Sequence, residues 1–122
     1  IYSLGLLYYR KDKVLMPKNM LKIKIIKKEI GWCNDPKSKF YNKEITLKKR
    51  IRCEKLFRKD YKYDYFIVIE YNTKKIIPNK GSAIFIHLTK DYKPTAGCIA
   101  LKKNDFLVLI NILEKNSKIL IS

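Results

Sequence analysis

The sequence predicts an α+β domain, mainly β, in which a mixed sheet or β-sandwich carries one C-terminal helix packed on it. Three observations carry that expectation. Turn signals recur at close intervals, at Pro17-Lys18-Asn19, Asn34-Asp35-Pro36, Pro78-Asn79-Lys80-Gly81 and Lys93-Pro94. The runs between them are short and apolar, of a length suited to strands. Only one window, 104–115, repeats its apolar residues convincingly at helical spacing.

Leu21, Ile23 and Ile25 alternate with Lys22 and Lys24, the pattern of a strand with one wet face. Tyr65 to Ile69 is continuously apolar, as expected of a strand covered on both faces. Ser82 to His87 reads as another short strand, and Lys118 to Ile121 as a closing one. In the helical window, Phe106, Leu109, Ile110 and Leu113 would pack on the sheet. Asn104 is the expected N-cap, Asp105 suits the positive helix end, and Asn116-Ser117 stops the helix. A second, shorter helix is expected at Cys53 to Arg58.

A length of 122 residues suits one domain spanning 1–122, and a hydrophobic fraction of 47% allows a core of useful size. No apolar run of about 18 residues is present, so no transmembrane segment is expected. The net charge of +17 would draw anionic partners such as wall polymer, acidic lipid or nucleic acid. The lysines are scattered, however, and no compact basic block marks a nucleic-acid patch, so no specific nucleic-acid partner is expected. Cys33, Cys53 and Cys98 lie too far apart for paired metal-ligand spacing, and His87 is the only histidine. Neither a metal nor a cofactor is expected. An odd thiol count leaves at least one cysteine unpaired within an exported monomer, and Cys98 is the expected one. Cys33 and Cys53 either pair in an oxidising compartment or serve in the core or surface; sequence leaves their separation open.

The chemistry concentrates in Gly81 to Leu101. A strand ends in His87, a polar loop follows, and the chain then meets Thr95-Ala96-Gly97-Cys98. A nucleophilic thiol needs a base within hydrogen-bond reach, and a strand–loop–strand return across eleven positions can supply one. Gly97 can adopt backbone angles closed to other residues, aiming the Gly97 and Cys98 amides at a developing oxyanion. Against this stands the ordinary reading, in which a buried cysteine fills space and a lone histidine is structural.

This segment resembles the catalytic segment of the L,D-transpeptidase (YkuD-type) superfamily, where a strand-end histidine precedes a Ser/Thr-x-Gly-Cys turn. GWCNDP at Gly31 to Pro36, YN at Tyr41-Asn42, YDYFIVIEYN at Tyr63 to Asn72 and PNKGSAIFIH at Pro78 to His87 resemble a small-domain branch of it. The resemblance runs from about Tyr2 to Ile121 and implies a YkuD-like sheet domain. It makes Cys98 the nucleophile, His87 its base, Gly97 a shaper of the oxyanion site and Thr95 the small hydroxyl position of the turn. Trp32, Asp35, Asn42, Tyr71 and Asn72 fall in the recurring blocks and would line the cleft or brace it. Ala96 replaces the turn histidine, Ala100 replaces a polar residue, and Leu88 stands where glycine is common. Ile1-Tyr2-Ser3-Leu4 resembles the end of a Gly-x-Tyr/Phe strand, so the domain is expected to lack its N-terminal strand segment.

The implied activity is cysteine-dependent acyl transfer on peptidoglycan stem peptides through a Cys98 thioester, in the bacterial cell envelope, periplasmic or wall-associated. An L,D-carboxypeptidase on the same fold is one alternative. A basic nucleic-acid-binding module is another, supported by Tyr8-Tyr9-Arg10-Lys11 and Lys48 to Arg52.

Overall fold

A computed structural model describes residues 1–18, 21–47, 50–90 and 98–120. In chain order the elements are β1 (Tyr2–Tyr9), β2 (Ile23–Ile25), β3 (Ile30–Cys33), β4 (Glu44–Thr46), β5 (Cys53–Lys55), β6 (Tyr65–Ile69), β7 (Phe85–Leu88), β8 (Ile99–Leu101), α1 (Lys103–Ile112) and β9 (Lys118–Ile119). The larger sheet runs β2-β1-β6-β7-β8, with β9 also paired to β1. It is mixed: β1 with β2 and β7 with β8 are parallel, whereas β1–β6, β6–β7 and β1–β9 are antiparallel. A smaller antiparallel sheet runs β4-β3-β5. The expected mainly β architecture with a helix near the C-terminus is therefore the one observed.

Strand alternation sorts the core into two layers. Leu7, Tyr9, Ile67, Ile69, Ile86 and Leu88 face one side, where Phe106 and Ile110 of α1 cover them. Tyr8, Phe66, Val68 and Phe85 face the other, against Ile30 and Trp32 of the small sheet. Every residue of β6 is buried, because both its faces are roofed. Phe66 lies stacked between Tyr8, at 4.6 Å between centroids, and Phe85, at 4.5 Å. Such aromatic pairs add about 0.5–1.5 kcal/mol each beyond their burial.

The helix is one turn shorter at its end than its periodicity predicts. It starts at Lys103 after Lys102, which makes no side-chain cap bond, so Asn104 lies inside the first turn and is not the N-cap. Asp105 does occupy the first turn, where its charge suits the helix's positive end. Leu113 is already extended, and beyond it the Glu114 amide donates to Ser117 Oγ at 2.7 Å.

The expected helix at Cys53 to Arg58 is a correction. Cys53–Lys55 form β5, pairing with Gly31, Trp32 and Cys33 of β3, and Leu56 follows into the core. A few residues with mixed polarity carry no usable period, and the neighbouring strand decides their conformation. No helix among the described residues is long and apolar enough to cross a membrane.

Candidate active site

His87 lies on β7, and Cys98 is the residue immediately before β8. The two strands are parallel, with Ile86 opposite Ile99 and His87 opposite Ala100. Continuing that register puts Cys98 level with Phe85, two residues before His87. Side chains two apart share a face, so His87 and Cys98 project from the same side of the sheet. With strands about 4.8 Å apart and about 6.6 Å between alternate residues, they stand roughly 8 Å apart at Cα, diagonally on one face of the sheet. It is the side that faces the small sheet, and Cys98 packs there against the Trp32–Phe85 cluster.

Each group is held in a defined way. His87 is only 8% exposed, and its Nδ1 lies 2.9 Å from the Leu88 carbonyl oxygen. A carbonyl only accepts, so this contact is a hydrogen bond when Nδ1 carries the proton, which leaves Nε2 with the lone pair. Cys98 is half-buried, and its thiol donates to the Ala83 carbonyl at 3.2 Å. Burial pushes the Cys98 thiol up from its ordinary pKa; a backbone hydrogen bond with Phe85 opposes this, and the charge of Glu54 adds to it. At rest the arrangement keeps a neutral thiol whose proton points at a carbonyl. Ionising it takes a base.

The carbonyl that receives the thiol is fixed from the small sheet. Ala83 has a left-handed backbone, with φ of 57°, and its amide donates to Asn42 Oδ1 at 3.1 Å. Asn42 is buried and also left-handed, a conformation its short amide side chain tolerates. Its Oδ1 accepts a second bond from Trp32 Nε1 at 2.9 Å, and its Nδ2 donates to the carbonyls of Tyr71, at 3.0 Å, and Asn72, at 2.7 Å. One side-chain amide thus uses all four of its hydrogen-bonding positions to join three segments. Trp32 also meets Phe85 edge-on at 5.1 Å.

Asn72 repeats the device nearby. Its Nδ2 donates to the Ile77 and Gly81 carbonyls, both at 3.0 Å, and its Oδ1 accepts from the Ile77 amide at 2.8 Å. The Tyr71 hydroxyl donates to the Lys80 carbonyl at 2.8 Å. Gly81, at φ of 127°, sits where an added Cβ would come within 2.9 Å of the Tyr71 ring. Trp32, Asn42, Tyr71 and Asn72 are therefore gathered into one network leading to Ala83 and Cys98. Asp35 is not part of it: its Oδ1 accepts from the Lys37 amide at 3.0 Å, within its own turn. Thr95 and Gly97 lie outside the described residues.

Residues not singled out in the sequence pack around the pair. Trp32 faces Glu54 across β3 and β5, which directs Glu54 toward the same interior as Trp32. The Tyr63 hydroxyl donates to Glu54 Oε1, and the Tyr63 ring meets His87 edge-on at 5.7 Å. Burial first and the Glu54 charge second push the Tyr63 phenol up, so it stays protonated as a donor. The Arg58 guanidinium lies over the Tyr63 ring at 5.3 Å and pairs with Asp60 at 2.5 Å. Tyr63 belongs to a sequence block already noted. Ala83 acts through its backbone and Glu54 through a non-local pairing, so neither leaves a local signal.

Comparison with known proteins gives one positive result. A family model of the YkuD type, the L,D-transpeptidase catalytic domain, matches residues 2–121. No curated protein and no solved structure matches the chain. Because the family match spans every described element, from β1 through β9, the chain belongs to the YkuD L,D-transpeptidase catalytic-domain family.

Proposed function

We propose that the chain is a cysteine acyltransferase of peptidoglycan stem peptides, with Cys98 as nucleophile and His87 as its base. Membership of the YkuD family implies L,D-transpeptidase-type activity in a cell-wall context. The observation that carries the residue assignment is the shared face of His87 and Cys98 on adjacent parallel strands. The Nδ1 contact that leaves the Nε2 lone pair for proton abstraction agrees with it.

In this reading His87 removes the Cys98 proton, and the thiolate attacks the carbonyl of a diamino-acid residue in the donor stem. The Gly97 and Cys98 amides stabilise the tetrahedral oxyanion. Terminal D-alanine leaves with the proton that His87 returns to its amine, and a thioester remains. A side-chain amine of a second stem, or water, then attacks the thioester and restores the thiol. Thr95 takes the small hydroxyl position that the family resemblance assigns to it. Trp32, Asn42, Tyr71 and Asn72 brace the cleft, whereas Asp35 serves its own turn. The site would lie in the cell envelope, where a net charge of +17 concentrates anionic wall polymer near it.

The test is intact mass after incubation with a carbapenem near neutral pH, with Cys98→Ala and His87→Ala alongside. A single covalent adduct is expected, absent in Cys98→Ala and slowed in His87→Ala. A wild-type protein that stays unmodified, or an adduct that survives Cys98→Ala, would refute the assignment. Product analysis on stem peptides then distinguishes the acceptor, because cross-linked dimers form only by transfer.

A further inference from the structure

The small sheet contains a second thiol site that the acyl-transfer reading does not use. Cys33 on β3 and Cys53 on β5 are directly opposed in the antiparallel register. The Asn34 amide donates to the Arg52 carbonyl at 3.1 Å, one step beyond that pair on each strand. This places Cys33 and Cys53 in a wide ring, with no backbone hydrogen bond between them. Facing Cα atoms in such rings stand about 4.5 Å apart. Disulfides span Cα separations of roughly 4.4–6.8 Å.

Opposed residues also share a face of the sheet. The position of Cys53 Sγ agrees: it lies 3.4 Å from where a Cβ on Gly31 would be, and Gly31 is two residues from Cys33 on the same side of β3. Both thiols are reduced in this structure. Cys33 Sγ leans toward the Asp35 carbonyl at 4.0 Å, a contact too long to resist rotation. Cys33 is fully buried, whereas Cys53 is partly exposed on β5, an edge strand. One thiol is therefore reachable by an oxidant and the other is sheltered beside it.

We propose that Cys33 and Cys53 form a cross-strand disulfide in an oxidising environment, using a small-molecule or protein disulfide as oxidant. The Cys53 thiolate attacks the oxidant's disulfide and expels one thiol, forming a mixed disulfide on Cys53. The Cys33 thiolate then attacks Cys53 Sγ and expels the second. Two protein thiols lose two protons and two electrons, and the oxidant leaves as two thiols. The bridge ties the edge strand that carries Glu54 to the strand that carries Trp32. With three cysteines in the chain, it leaves Cys98 as the one reduced thiol.

The wild-type protein is incubated with oxidised glutathione, blocked with an alkylating agent after unfolding, and weighed intact. The expected result is one alkylated cysteine where the reduced protein takes three. Digestion should yield a linked pair of peptides containing Cys33 and Cys53, and Cys98→Ala should form the same bridge. Cys53→Ser should show two alkylated cysteines under the same conditions, and Cys33→Ser the same or a stable glutathione adduct on Cys53. Three alkylated cysteines after oxidation, a lasting glutathione adduct on wild-type Cys53, or a bridge that includes Cys98 would each overturn the proposal. The readout is independent of carbapenem acylation, so failure of either leaves the other standing.

Discussion

Asn42→Ala removes the amide on which the Ala83 carbonyl, and through it Cys98, depends. The truncation leaves two buried donors, Trp32 Nε1 and the Ala83 amide, without their acceptor. Each orphaned donor costs about 1–3 kcal/mol. Alanine must also hold the left-handed backbone that Asn42 adopts at φ of 57°, which costs roughly 1–2 kcal/mol. The sum is roughly 3–8 kcal/mol, against a total stability of about 5–15 kcal/mol for a domain of ordinary size. Urea denaturation measures it, and Trp32, the sole tryptophan, reports from beside the change. Asn42→Gly separates the two contributions, because it loses the same hydrogen bonds but carries no left-handed penalty. It should be more stable than Asn42→Ala by about 1 kcal/mol. An alanine variant within about 1 kcal/mol of wild type, or a glycine variant no better than alanine, would refute the argument that this amide anchors the site.

Two further outcomes follow from the cleft and the small sheet. Glu54→Gln keeps an acceptor for Tyr63 but removes the carboxylate charge that opposes a Cys98 thiolate, so the Cys98 pKa falls. The pH profile of Cys98 alkylation, followed by peptide mass, should move to lower pH; an unmoved or raised inflection would exclude Glu54 as a contributor. Gly31→Ala would put a Cβ 2.5 Å from Leu47 Cδ2 and 3.0 Å from the Glu54 carbonyl oxygen, which is backbone and cannot swing aside. It should destabilise the protein by about 1–3 kcal/mol in the same urea assay, and an unchanged midpoint would show that the small sheet has slack there.

What the sequence disclosed divides along local and non-local lines. The apolar run of β6 and the spacing of Phe106 and Ile110 announce their elements, because burial on two faces or on one helical stripe imposes a pattern within a few residues. Cys53–Lys55 has no such pattern; it is a strand because β3 lies beside it. The helix boundary slipped for a similar reason: a good capping residue at Asn104 was available, but the chain enters the helix earlier, from β8 through Lys102. His87 and Cys98 stood out by their order along the chain, and adjacent parallel strands bring them to one face of the sheet. Glu54 and Ala83 did not stand out, since one arrives by strand pairing and the other contributes only a carbonyl and an amide. Asn42 was visible as a residue of interest, but its four bonds reach across 10, 29, 30 and 41 positions of chain. No local reading predicts such a junction.

That junction bears on how such a site can be moved or recombined. Residues 81–101 resemble a portable cassette, carrying histidine and thiol in one stretch of sequence. Grafted onto another mixed sheet, the cassette would bring both His87 and Cys98 but leave Ala83 in a left-handed conformation with nothing to hold its amide. The thiol would then rest on a carbonyl free to turn away. A donor for such a graft must supply β3 and the segment reaching Asn42 as well, so the smallest transferable unit is the pair of sheets together.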